Sequence, residues 1–142
     1  MRVLFDTNVV LDVVLKRHPF SGVAARLIGR VERKEWEGAL CATTLTTIFY
    51  VAEKAVGTKV ARETVRDLLT LFQVAKVDRS VLETAVALPL DDFEDAVLLE
   101  AGRAIGIDAL VTRNAGDFGE AALLVLSPEE LEASLTVLED DA

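Results

Sequence analysis

Cysteine and histidine are nearly absent from this 142-residue chain, which holds one of each, Cys41 and His18. A single cysteine rules out an internal disulfide. Together the two side chains are too few soft ligands for a tetrahedral zinc site, so any metal here is held by oxygen. No glycine-rich phosphate loop occurs, and neither Ser21 nor Ser127 has a histidine suited to a hydrolase triad. His18, beside Pro19, reads as a helix-end residue rather than a general base. A long apolar span is missing too. The longest uncharged run, Gly38–Ala52, has 15 residues, four of them threonine, against the ~20 needed to cross a bilayer. Asp6 and Asp12 interrupt the apolar amino terminus and no small-residue cleavage site follows, so the expected location is the cytoplasm, with no membrane partner.

Hydrophobic residues make up 51% of the chain and charged residues 27%, the balance of a folded globular protein. The expected organisation is a single domain over residues 1–142, since roughly 68–70% of the unfolded surface can be buried at this length without a covalent staple. A net charge of -9 opposes gripping nucleic acid by charge alone. That charge is polarised: residues 1–77 hold 12 basic and 8 acidic side chains, residues 78–142 hold 3 and 16. The acidic stretch Glu129 to Asp141 reads as a solvated helix face and tail.

Short apolar runs alternate with segments of helical period. Val3-Leu4-Phe5, Ala39–Ala42, Val74–Val77, Ala109–Thr112 and Leu123–Leu126 read as strands. Helices are expected over about 8–16, from Pro19 to Lys34, from a Thr43 or Thr44 cap through Lys54, and over about 60–72. Others are expected over 79–88, from Asp91 or Asp92 to about Ile105, and over about 128–138, where Ser127-Pro128-Glu129-Glu130 supplies cap, proline and acidic first turn. This order predicts a three-layer α/β/α sandwich around a mainly parallel sheet of about four or five strands.

In such a sheet, sites form at the carboxyl ends of strands. Those places are acidic here: Asp6 ends the first strand, Asp91-Asp92-Phe93-Glu94-Asp95 opens a helix, and Asn114-Ala115-Gly116-Asp117 follows the fourth strand. Each also has a local reading. Asp6 suits a helix cap, Asp91 and Glu94 have capping-box spacing, and Asn114–Asp117 is turn chemistry. Convergence explains all three together. Two like charges about 4 Å apart cost about 4 kcal/mol at an effective dielectric of 20, so such a cluster takes up protons or a hard cation. Oxygen ligands favour magnesium or manganese. Asp12 reads as an exposed partner of Lys16, and Trp36, Phe49, Tyr50 and Phe72 as core or rim.

The runs Phe5-Asp6-Thr7-Asn8-Val9-Val10-Leu11-Asp12, Phe93-Glu94-Asp95-Ala96, Val111-Thr112-Arg113-Asn114 and Asp117-Phe118 resemble, in order and spacing, the motifs of PIN-domain proteins. The likeness is greatest to the branch containing VapC-like toxins of toxin–antitoxin pairs. It implies an endoribonuclease in which Asp6, Asp95 and Asp117 ligate Mg2+ or Mn2+ directly or through water. Asn8 and Thr112 would orient ligands or phosphate, with Glu94 or Asp92 completing the acidic ring. It also implies an RNA substrate, an antitoxin partner and a homodimer, with apolar helix surface including Phe49 and Tyr50 available to such partners. One departure stands out: where many relatives present a glutamate to the metal, this chain has Thr47, and Glu53 lies too far along the helix to replace it.

Basic residues of the first half, Arg26, Arg30, Arg33, Lys34, Lys54, Lys59, Arg62 and Arg66, either flank the mouth of the site or scatter over solvated helix faces. Two other readings compete with a ribonuclease. One is a catalytically weak or inactive module that acts by binding RNA or protein, suggested by Thr47 and the negative charge. The other is a phosphatase- or receiver-like domain with Asp6 as phosphate acceptor, weakened by Asn8 where a second acid is expected.

Overall fold

In a computed structural model describing residues 1–119 and 123–141, with side chains through residue 134, the chain forms five strands and seven helices. Strands β1 (Arg2–Phe5), β2 (Glu37–Cys41), β3 (Gln73–Ala75), β4 (Ala109–Val111) and β5 (Leu124–Leu126) lie in the order β3-β2-β1-β4-β5. Every pairing is parallel; Leu4, for example, stands beside Ala39 on one side and Leu110 on the other. The α/β class and the parallel sheet expected from the alternation of elements are therefore present.

Parallel strands need long crossovers, and helices supply them. Helices α1 (Thr7–Val14) and α2 (Ser21–Glu32) join β1 to β2, while α3 (Ala42–Val56) and α4 (Thr58–Leu71) join β2 to β3. Helices α5 (Arg79–Val86) and α6 (Phe93–Ala104) carry the chain to β4, and α7 (Pro128–Asp141) follows β5. Gly57, at φ 88°, separates α3 from α4 in a conformation that glycine adopts without strain.

Alternate strand residues serve opposite layers, as the two-residue period requires. Val3, Phe5, Leu40 and Val111 pack with α1, α2, α3 and Leu131 of α7. Leu4, Ala39, Cys41 and Leu110 pack with α5 and α6. Helix α6 comes very close to the sheet: a Cβ added at Gly102 would stand 2.7 Å from Leu4 Cδ2. That approach fixes where the acidic first turn of α6 projects beyond the strands.

The chain runs from β1 outwards to β3 and then returns to the other side of β1, so strand order reverses between β1 and β4. Beyond the carboxyl ends of those two strands lies the crevice where ligands bind in open α/β sheets.

Several sequence expectations need correction. Asp12 is 1% exposed and pairs with Arg113 and Arg17, not Lys16. An acid inside the apolar run Val9–Leu15 falls on the inner face of α1, where it needs a cation brought from elsewhere in the fold. Helix α3 begins with no side-chain cap from Thr43 or Thr44, because Thr44 is buried and bonds Thr7 instead. The acidic carboxyl-terminal helix is not simply solvated: Leu131 is buried and Glu132 accepts from Arg26 at 2.7 and 3.0 Å.

Candidate functional site

Asp6 ends β1 and opens α1 at once. Its Oδ1 accepts from Thr7 N at 2.7 Å, the cap foreseen from sequence, but Oδ2 accepts from Thr112 Oγ1 at 2.6 Å. Thr112 is fully buried just beyond β4, so that bond bridges the switch point. Capping thus uses one oxygen of Asp6, and the other is oriented by a residue 106 positions away. Asn8 Nδ2 also donates to Asp6 Oδ2, at 3.4 Å, and Asn8 Oδ1 accepts from Arg113 N at 3.4 Å.

Beyond Thr112 the backbone tightens. Asn114 N donates to Thr112 Oγ1 at 3.1 Å, and a 3₁₀ turn over Ala115–Phe118 presents Asp117, held by Asp117 N donating to Asn114 O at 2.9 Å. Phe118, 1% exposed, anchors that turn in the core. On α6 the cap is Asp92, whose Oδ1 accepts from Asp95 N at 3.1 Å. The expected Asp91–Glu94 capping box does not form, since the helix starts one residue later. Asp95 thus stands at the third helical position, its backbone N–H bonded to the cap, and borders the cavity at this end of the sheet.

Asp6, Asn8, Asp92, Glu94, Asp95, Asn114 and Asp117 line one cavity of about 270 Å³, which Thr43, Thr44 and Thr47 of α3 also border. Thr112 lies just beneath, through its bond to Asp6. The sequence-predicted acids are therefore brought together. Burial raises the Asp6 carboxyl above its ordinary range, against the lowering effect of the Thr112 and Thr7 hydrogen bonds, with Asp117 and Asp92 adding repulsion. Asp95 is pushed up to about 6, chiefly by burial and then by Asp92, Asp6, Asp117 and Glu94. Acids separated by most of the sequence share one electrostatic field.

This donor set fits a hard divalent ion: several carboxylates, neutral oxygens and no soft ligand. Among the described residues, however, no three carboxylates already form a closed ligand cage. An open acidic ring suits an ion that keeps part of its water shell, as magnesium does. Thr47 confirms the departure seen in sequence, because it lines the cavity with a hydroxyl, while Glu53 instead accepts from Thr58 Oγ1 at 3.2 Å.

Of the two placements open to the eight basic residues, scattering fits better than lining the site. Among the described residues none of the eight lines this cavity. Arg26 meets Glu132, Arg30 and Arg33 meet Glu35, Lys54 lies over Tyr50 and Arg62 over Phe49. Lys34 sits at the opposite, amino-terminal end of the sheet with Met1 and Asp108. Sequence reasoning missed Arg17, which does line the cavity, and Arg113, whose guanidinium lies against Asp12 and 4.1 Å from the centre of the Phe20 ring. A signal existed for the second: Arg113 lies inside a site motif, and buried Asp12 demanded a cation.

The fold and the site together define an α/β protein with an acidic cleft at a topological switch point, suited to a hard cation. The sequence matches the family model described as PIN domain over residues 2–116, and the chain belongs to the PIN-domain family. No match was found among curated proteins. Solved structures share the fold. A chain of a toxin–antitoxin complex from Klebsiella pneumoniae aligns with a TM-score of 0.67 at 23% identity, covering 89% of this chain and 97% of that one. A VapBC complex from Rickettsia felis, bound to a DNA fragment from its promoter, aligns with a TM-score of 0.66 at 16% identity, covering 89% and 98%. A Mycobacterium tuberculosis VapC toxin described as cleaving the sarcin–ricin loop aligns at 0.62 and 19% identity, covering 76% and 86%. The VapC-like resemblance read from the motifs thus holds at the level of fold. No helix among the described residues is long and apolar enough to cross a membrane.

Proposed function

We propose that this protein is a magnesium- or manganese-dependent endoribonuclease that acts as the toxin of a toxin–antitoxin pair. One observation carries the reading: Asp6, Asp95 and Asp117, from three distant segments, line one cavity at the switch point, where burial and neighbouring acids raise the carboxyls of Asp6 and Asp95. Ordinary folding gains nothing from that repulsion. A cation that joins the carboxylates and then a phosphodiester gives it a purpose.

When bound, the ion supplies positive charge to the scissile phosphate and acidifies water for attack on phosphorus. Asp6, Asp95 and Asp117 would hold it, with Glu94 or Asp92 completing the acidic ring. Thr112 and Asn8 orient Asp6, so the side chain spends little entropy on ligation. Leu11 and Leu98 border the same cavity and limit its hydration. Asp95 must lose its proton before it can ligate, so activity should rise with pH through about 6 and to lower pH when metal is abundant.

The test is cleavage of single-stranded RNA by the purified protein with manganese. Asp6→Ala and Asp117→Ala should each lower kcat/KM by about 100-fold or more, in keeping with loss of a group that stabilises transition-state charge. Cutting at the wild-type rate by either variant overturns the reading.

Thr47 favours a second reading, a catalytically weak module that binds RNA or protein. That module would bind RNA equally well with and without a chelator and would turn over with no divalent ion. The partners that accompany the main reading are an antitoxin, a second copy of the chain and an RNA substrate in the cytoplasm. The exposed Tyr50, Val56 and Val60 on α3 and α4 supply apolar surface for the protein partners.

A further inference from the structure

A cavity lined by five carboxylates repels the polyanion it is meant to cut, and Arg17 is the one cation among the described residues lining it. Its position is built into the backbone. Helix α1 closes with Lys16 in the left-handed region, φ 52°, while Lys16 N donates to Val13 O at 3.2 Å and Arg17 N to Asp12 O at 2.9 Å. These paired bonds are a Schellman closure, in which the residue after the left-handed one folds back over the helix's last turn and usually makes an apolar contact there. Here that contact joins Arg17 to Asp12. Ser21 N donates to Arg17 O at 2.8 Å, so the backbone of Arg17 is tied on both sides.

Asp12 does not need Arg17 for neutrality. Arg113 Nε stands 2.8 Å from Asp12 Oδ2, off the hydrogen-bond axis, and Nη2 donates to Oδ1 at 3.3 Å. Arg17 Nη1 approaches Oδ1 only to 3.8 Å, and its side chain is 38% exposed. The two guanidiniums differ in role: Arg113, against the Phe20 ring, compensates the buried acid, whereas Arg17 keeps charge and most of its five N–H donors for something else. A planar fork with fixed backbone beside hydroxyls and carboxylates matches a phosphodiester's two non-bridging oxygens.

We infer that Arg17 is a substrate-binding residue that grips a backbone phosphate of the RNA next to the one being cut. Asp12 acts as its positioning residue, keeping the guanidinium from folding onto the acids. The inference rests on the ribonuclease reading above.

Arg17→Gln and Arg17→Lys are compared with wild type by steady-state cleavage with manganese and by fluorescence anisotropy of labelled single-stranded RNA with calcium over a salt series. For Arg17→Gln the expected result is a rise of about tenfold in KM and Kd, with kcat changed less than about threefold and thermal midpoint unchanged. The slope of log Kd against log salt should fall by about one phosphate contact. Arg17→Lys should keep that slope while losing affinity, since it keeps the charge without the fork. Unchanged KM, Kd and salt slope in a wild type that cleaves overturn the inference alone. A fall in kcat with unaltered salt slope also overturns it, marking a purely structural role. A wild type that neither cuts nor binds RNA overturns the ribonuclease reading and this inference together. Should Arg17→Gln fail to fold, Arg17→Lys decides, because equal affinity for wild type and lysine variant contradicts a bidentate grip.

Discussion

The two ends of the sheet treat charge in opposite ways. At the amino end, Arg2 Nε meets Glu37 Oε2 at 2.9 Å, Arg2 N donates to Asp108 Oδ2 at 2.7 Å, and Arg2 Nη1 donates to Ile105 O. Glu35 nearby is held below the usual carboxylate range by the Arg33 hydrogen bond and the Arg30 and Arg33 charges. At the carboxyl end, Asp6 and Asp95 move the other way: burial and neighbouring acids raise both, and at Asp6 they outweigh the hydrogen bonds from Thr112 and Thr7. Paired charges mark the end that serves stability. Uncompensated ones mark the end that holds the acidic cavity.

The sharpest way to break this contrast is Asp95→Asn. Cleavage with manganese should fall by about a thousandfold, the upper range for loss of one charge-stabilising group. The metal-free variant should nevertheless be more stable at pH 7. The sign follows from the raised carboxyl: between its ordinary value near 3.8 and about 6 the folded protein holds more protons than the unfolded, so wild-type stability falls as pH rises across that window. The gain is on the order of 1 kcal/mol after discounting for solvent screening, and it disappears below about pH 4. Chemical denaturation at both pH values measures it. A destabilised variant at pH 7 would show that Asp95 sits in a comfortable site.

Next in size is Asp12→Asn. Leaving the Arg113 guanidinium without its acid should cost about 3 kcal/mol, toward the low end for breaking a buried pair because Arg113 keeps some solvent contact. Urea melts report it. The third change extends the contrast: Thr47→Glu adds a carboxylate to the cavity and should tighten manganese binding by about tenfold in calorimetry, one charge interaction worth ~1.4 kcal/mol. The smallest effect belongs to the amino end, where Arg2→Ala should cost about 1 kcal/mol of stability by losing its Glu37 and Ile105 contacts. RNA cleavage by that variant should equal wild type.

What could be read in the sequence depended on the range of the interaction. Five strands and the helices between them were visible, because a strand or helix declares itself over a handful of residues through apolar period and caps. Asp6, Asp95 and Asp117 were found because each lies in a short motif beyond a strand or at a helix start. The start of α6 was legible only as Asp91 or Asp92, since two adjacent aspartates offer equivalent capping chemistry, and the fold uses Asp92. Asp12 was misread for a stronger reason. Its neighbour at helical spacing is Lys16, yet its partner is Arg113, 101 residues away.

The amino-acid sequence alone determined the α/β alternation, the acidic motifs and the scarcity of soft metal ligands, because these depend on composition and local period. Only the tertiary structure decided which charges are compensated. Strand order placed β4 beside β1, which set Thr112 on Asp6 and Arg113 on Asp12, and the Schellman turn laid Arg17 along the cavity. Coulombic energy depends on distance through space and on burial, and neither quantity exists until the chain has folded.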